Sequence, residues 1–165
     1  MDLSEVSAGL QKIHGQFNWI NAGGCGEFAN MLGSKFKQSN LKYKYVLIVS
    51  NHYRERSTRD ALRDFKQLGD KVNDKEVRNN NGFDIAHIMV YHKGIYFDST
   101  GAHENLEHTT WGKYRGYTIG AILSQEILEN WCNQDTWNDM FNREQIPFMR
   151  NCVSELDFSS LNKVN

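Results

Sequence analysis

Apolar residues recur at helical spacing along the first forty positions. Leu3, Val6, Leu10 and Ile13 fall on one face, which predicts an amphipathic packing helix that Gly15 ends. After Asn21-Ala22-Gly23-Gly24 the pattern resumes with Cys25, Phe28, Ala29, Leu32 and Phe36, with Met31 beside them. This predicts a second, largely buried helix whose preceding glycines supply unusual backbone angles. From Leu41 to Ser50 the period drops to two, Tyr43, Tyr45, Leu47 and Val49 alternating with Lys42, Lys44, Val46 and Ile48. The inner half is apolar on both faces, so the strand is expected near the middle of a sheet. Ala61, Leu62, Phe65 and Leu68 predict a surface helix over residues 57–68, capped by Ser57 and ended by Gly69. Residues 70–82 are polar and predict a loop. A short strand is expected around Tyr117-Thr118-Ile119, and helical patterns over Gln125 to Cys132 and Trp137 to Phe141, before a polar end near Pro147.

Between these elements lies Ala86-His87-Ile88-Met89-Val90-Tyr91-His92-Lys93-Gly94-Ile95-Tyr96-Phe97-Asp98-Ser99-Thr100-Gly101, which reads as a hairpin. With a two-residue turn at Lys93-Gly94, or a four-residue one, Tyr91 faces Tyr96, Met89 faces Asp98 and His87 faces Thr100. His87 and Asp98 then share one face as diagonal neighbours, and Ile88, Val90, Ile95 and Phe97 make the other face uniformly apolar. A three-residue loop would slip the register by one and separate the two polar residues. The register that gives a clean core also pairs the histidine with the aspartate.

Composition narrows the class. The 165 residues, 39% of them hydrophobic, fit a single domain with a real core. Nineteen basic residues against twenty acidic ones disfavour nucleic-acid binding, which needs many phosphates neutralised. No stretch approaches the roughly 18 apolar residues of a membrane span, and the N-terminal residues do not read as a signal peptide. Cys25, Cys132 and Cys152 are an odd number without paired spacing, so neither a disulfide framework nor a metal site is indicated. A reducing cytoplasm is the expected location, with no cofactor, no metal, no nucleic acid and no membrane as partner.

The chemistry lies in Cys25, His87 and Asp98. A thiol attacks as its thiolate, and a free cysteine has a pKa of about 8.5. A helix N-terminus contributes about 0.3 to 1 kcal/mol, rising to about 2 when partly buried, against roughly 1.4 kcal/mol per pKa unit. The helix alone is therefore not enough. A histidine within reach supplies an imidazolium partner, and an aspartate on its other nitrogen fixes its tautomer. Gly23, Gly24 and Gly26 allow a substrate carbonyl to approach the backbone, where the Cys25 amide is one oxyanion donor. Asn18, Asn21 and Gln16 are candidates for a second donor.

With these residues in view, GGCGEFANML followed by AHIMVYHKGIYFDSTG resembles the Cys, His, Asp pattern of the papain-like superfamily in its broad sense, including transglutaminase-like and NlpC/P60-like cysteine hydrolases. It is also similar to small phage and bacterial proteins. The resemblance spans roughly residues 18 to 101. It implies a papain-like α+β fold, N-terminal helices with the nucleophile helix packed on a mostly antiparallel sheet. It further implies Cys25 as nucleophile, His87 as general base and acid, and Asp98 as orienting residue. The papain-type glutamine six residues before the cysteine is here Trp19, so that donor does not carry over, and the D-C-S opening of the NlpC/P60 group is absent. The expected function is a thiol-dependent hydrolase or acyltransferase acting on an amide in a protein or peptide, of peptidase, deamidase, amidase or transglutaminase type. If the chain is phage-encoded, its location is the host cytoplasm. The alternative is an inactive scaffold of the same fold used as a protein-binding module, such as a phage inhibitor of a host factor.

Other motifs weigh less. His103 and His108 are five apart and do not share a helical face, so a metal site there is disfavoured. His92 reads as a solvated turn residue, and His14 and His52 as cap or loop residues. Trp111, Tyr114, Tyr117, Trp131 and Trp137 read as packing rather than as the floor of a cleft.

Overall fold

The computed structural model describes residues 3–21, 23–51, 83–104, 118–123, 125–132 and 141–163. The expected helix at 57–68, the loop at 70–82, the Trp137 helix and His52, His108, Trp111, Tyr114 and Tyr117 fall outside them.

Helix α1 spans Ser4–Gln16 and buries Val6, Leu10 and Ile13. It passes through Gly15, which the sequence reading took as its end. Gly15 meets nothing within 4 Å, and an exposed last turn tolerates a glycine at modest entropic expense. Helix α2 spans Cys25–Gln38 and buries Phe28, Ala29, Met31, Leu32 and Phe36, so it starts on the cysteine. Where α2 crosses the sheet it carries Gly33, whose missing Cβ would lie 2.1 Å from the Tyr45 hydroxyl. Only a glycine lets the helix come that close.

The strands are β1 (Lys44–Asn51), β2 (Phe83–His92), β3 (Ile95–Asp98), β4 (Gly101–His103) and β5 (Thr118–Leu123). They form a five-stranded antiparallel sheet in the order β4-β3-β2-β1-β5, which makes the chain an α+β protein with β1 interior to the sheet. Two further helices follow, α3 (Gln125–Cys132) and α4 (Ile146–Ser154). Helix α4 corrects the expectation of a polar end near Pro147. The proline sits in its first turn, where its absent N–H is not missed, and Met149 and Val153 reach the core together with Phe158 and Leu161.

The β2–β3 hairpin has the expected register, with Val90 opposite Phe97, Tyr91 opposite Tyr96 and His92 opposite Ile95. Lys93 and Gly94 both have positive φ, 45° and 90°, as a two-residue turn matched to strand twist requires. Ile88, Val90 and Phe97 join the main core under α2, while Met89, Tyr91 and Tyr96 pack with Val46 on the other face.

Two details differ. The β2–β3 ladder ends at Val90 and Phe97, short of the expected Met89–Asp98 and His87–Thr100 pairs, and after Asp98 the chain turns at once, pairing Asp98 with Gly101. His92 is not a solvated turn residue either: it is buried, its ring lies 5.5 Å from that of Phe36, and Nδ1 donates to the Lys42 carbonyl. The strand runs through His92 on the core face, so the tight turn leaves it no route to water. No helix among the described residues is long and apolar enough to cross a membrane.

Candidate active site

The position of Cys25 is set by what precedes α2. Gly23 has φ 111°, a backbone conformation that favours glycine. Gly24 is the N-cap, with no side chain to cap the first-turn amides, and a Cβ there would sit 2.4 Å from the ring of Phe141. The chain thus enters the helix pressed against an aromatic ring, with Cys25 at the first helical position and 6% exposed. Glu27, buried in the same turn, accepts from Arg143, which also donates to the Cys132 carbonyl. Burial pushes the Glu27 carboxyl up, and the Arg143 and Arg150 charges oppose this.

His87 stands on β2 just after a break in the ladder. Ile48 pairs with His87 but Val49 with Ile85, so Ala86 is an extra residue in the strand. Such bulges bend a strand and re-aim neighbouring side chains. His87 is 1% exposed and Asp98 2%, and His87 Nε2 donates to Asp98 Oδ2 over 2.8 Å. With Nε2 committed to Asp98, only Nδ1 can take a proton from a thiol. Desolvation opposes the imidazolium, yet the bonds and charges of Asp98 and Cys25 outweigh it, and the pKa is pushed up to about 9. Desolvation likewise raises Asp98, but hydrogen bonds from His103 and His87, the His87 charge and Thr100 hold the carboxyl far below the usual range.

The turn carrying Asp98 is held from two sides. Thr100 donates to Asp98 Oδ1 through its backbone N–H (2.8 Å) and its hydroxyl (2.6 Å). On the other side, α1 presents a polar stripe at positions 7, 11 and 14. Ser7 Oγ accepts from the Ala102 N–H, Gln11 donates to the Thr100 carbonyl, and His14 Nδ1 lies 2.9 Å from Ser99 Oγ. Gly101, at φ 136°, would bring a Cβ within 2.4 Å of Ser7 Oγ. The sequence reading treated α1 only as packing and His14 as a cap or loop residue. The Ser7, Gln11, His14 spacing was the available signal for a second, functional face.

The four candidates for substrate-carbonyl binding separate. Gln16 Oε1 accepts from the Cys152 thiol at the start-to-end junction of α1 and α4, 3.8 Å away. Asn18 is exposed, and its carbonyl accepts from Gln145 Nε2. Gly24 lies under Phe141. Asn21 alone of the four joins the polar network around the Asp98 turn: Ser99 Oγ donates to Asn21 Oδ1 over 3.1 Å. Ser99 has one proton and spends it there, so it accepts from His14 Nδ1–H, and the Asn21 amide is oriented with its NH2 group directed away from Ser99. The arrangement offers a buried imidazole, fixed by Asp98, as an acceptor for a proton. Among the described residues no group of three or more His, Cys, Asp or Glu side chains is placed to hold a metal ion. Comparison of the chain with family models, with curated proteins and with solved structures finds no match in any of the three.

Proposed function

We propose that the chain is a thiol-dependent hydrolase or acyltransferase of papain-like type, acting on an amide in a protein or peptide. The observation that carries this reading is a buried imidazole bonded to the Asp98 carboxylate over 2.8 Å, its charged form favoured by Asp98 and by Cys25, whose thiol stands at a helix N-terminus. An ionised Asp98 requires the proton of His87 on Nε2, which leaves the Nδ1 lone pair of the neutral ring for the thiol proton. Cys25 Sγ gives its proton to Nδ1 and attacks the carbonyl carbon. The tetrahedral oxyanion collapses, Nδ1–H protonates the departing amine, and a thioester remains on Cys25. Water releases an acid, completing a peptidase, amidase or deamidase cycle; a second amine instead completes a transglutaminase cycle.

Asn21 is the side-chain donor to the oxyanion in this reading, with the Cys25 backbone N–H as the other. A small activated ester tests both statements without knowledge of the natural substrate. p-Nitrophenyl acetate is expected to acylate Cys25 and release one p-nitrophenolate per chain in a burst that Cys25→Ala abolishes. Asn21→Ala is expected to slow the burst about 100-fold, since losing one oxyanion donor is worth on the order of 10² to 10³. Its alkylation by iodoacetamide, a displacement that develops no oxyanion, should stay at the wild-type rate. Absence of acyl-Cys25 in the wild-type protein counts against the enzyme reading and in favour of a binding scaffold. An unchanged burst in Asn21→Ala removes Asn21 from the site.

A further inference from the structure

We propose that His103 is a positioning residue of this site, acting on His87 through Asp98; the inference rests on the thiol-hydrolase reading. Tyr96 pairs with His103 and Asp98 with Gly101 across β3 and β4. The period of two therefore puts His103 and Asp98 on one face. His103 Nε2 lies 3.3 Å from Asp98 Oδ1 and 3.0 Å from Thr100 Oγ1.

Proton accounting fixes the direction of these bonds. The Thr100 hydroxyl has one proton, and at 2.6 Å it is given to Asp98 Oδ1. Toward His103 the hydroxyl oxygen can only accept, so Nε2 carries a hydrogen, shared between Thr100 Oγ1 and Asp98 Oδ1. Oδ1 thus receives three donors, which leaves Oδ2 to His87 and fixes the plane of the carboxylate. Thr100 belongs to the same turn as Asp98 and moves with it. His103 is on the next strand and ties the carboxylate to the sheet. The ring is 17% exposed and borders an open depression with Ser4, Ser7 and Glu104. One edge therefore meets water while the other holds a buried acid. Among the described residues, Asp98 is bonded to it, Tyr96 lies opposite in the ladder and Glu104 is next in the chain.

The test compares His103→Ala with His103→Gln, whose side-chain amide can place an N–H where Nε2–H stands. Three quantities are read: the pH profile of Cys25 acylation by p-nitrophenyl acetate, the NMR signal of the His87 ring N–H, and the urea midpoint. His103→Ala is expected to slow acylation about tenfold, the low end of the roughly 10- to 100-fold that outer hydrogen-bonding partners of a site residue contribute. The limb of its profile set by His87 should move to lower pH, because the Asp98 bond that sustains the imidazolium is loosened, and the His87 N–H should exchange faster. His103→Gln should restore the rate, the limb and the signal. The proposal is overturned by an alanine variant whose limb and N–H signal match wild type, even if its urea midpoint falls, because that pattern is a purely structural role. It is also overturned if glutamine is no better than alanine. Failure of the enzyme reading looks different: wild type forms no acyl-Cys25, while the N–H signal still reports whether His103 positions His87.

Discussion

Asp98→Asn is expected to slow acylation of Cys25 on the order of 1,000-fold while leaving the fold in place. The ring tautomer decides the outcome. Three donors converge on Oδ1: the Thr100 N–H, the Thr100 hydroxyl and His103 Nε2. An asparagine must therefore put its carbonyl oxygen at that position and its NH2 group at the position of Oδ2, facing His87 Nε2. A nitrogen that now meets a donor must become an acceptor, so the ring proton moves to Nδ1 and the imidazole presents N–H rather than a lone pair to the thiol. Wrong-tautomer variants of hydroxyl-nucleophile triads lose about 10⁴. A thiol, more acidic than a hydroxyl, needs its base less, hence the smaller figure. The pre-steady-state burst with p-nitrophenyl acetate measures it. A variant within about threefold of wild type would mean that Asp98 does not set the tautomer.

The same pair gives stability a pH dependence with a defined sign. His87 binds its proton more tightly folded than unfolded, with the pKa raised from 6.5 to about 9. Its contribution is fully present below pH 6.5 and is lost as pH rises through 9. Asp98 is depressed from 3.8, so its contribution is present above about pH 4 and is lost as pH falls. The pair therefore contributes most between about pH 4 and 6.5. The His87 shift corresponds to about 3 kcal/mol lost between pH 6.5 and 9, a large share of the 5 to 15 kcal/mol that holds an ordinary domain together. Urea unfolding of wild type and His87→Gln at pH 6 and pH 9 checks this, the variant being nearly flat over the interval. Parallel pH dependences for the two proteins would contradict it.

Those two residues were legible in the sequence because a single physical constraint governs both. Lys93-Gly94 can form a two-residue turn, the turn fixes the register, and the register sorts Ile88, Val90, Ile95 and Phe97 to one face with His87 and Asp98 on the other. The start of α2 at Cys25 was legible for a similar reason, since the glycines and the apolar period meet there. Features that depend on tertiary contact were not. Nothing local shows that β3 must stop at Asp98. That follows from α1 reaching over with Ser7, Gln11 and His14 to hold the turn, a contact across some 90 positions of chain. The bulge at Ala86 is a misfit between β1 and β2, which belongs to neither strand alone. His92 was misread because a histidine beside a turn is usually solvated, whereas here the pleat directs it onto Phe36. His103 was weighed only as a metal ligand on a helix, and its place on β4 required the turn to be known first. Helix α4 was missed because Pro147 was read as a terminator, although proline is favoured in a first turn.

The proposed function requires one property above all, that His87 accepts the proton of the Cys25 thiol. Its neighbours provide the internal comparison. Burial, with the Glu27 and Cys25 charges, pushes the Cys132 thiol up to about 12, and Cys152 donates to Gln16 at the surface between α1 and α4. Iodoacetamide at pH 6, with the modified residue identified by peptide mass, is the direct measurement. A free thiol of pKa about 8.5 is less than 1% ionised at that pH, so a cysteine without a base beside it reacts slowly there. The prediction is selective carboxamidomethylation of Cys25, at least tenfold faster than a free thiol and slowed to that level in His87→Ala. Alkylation of Cys25 no faster than Cys152 or a free thiol would contradict the account.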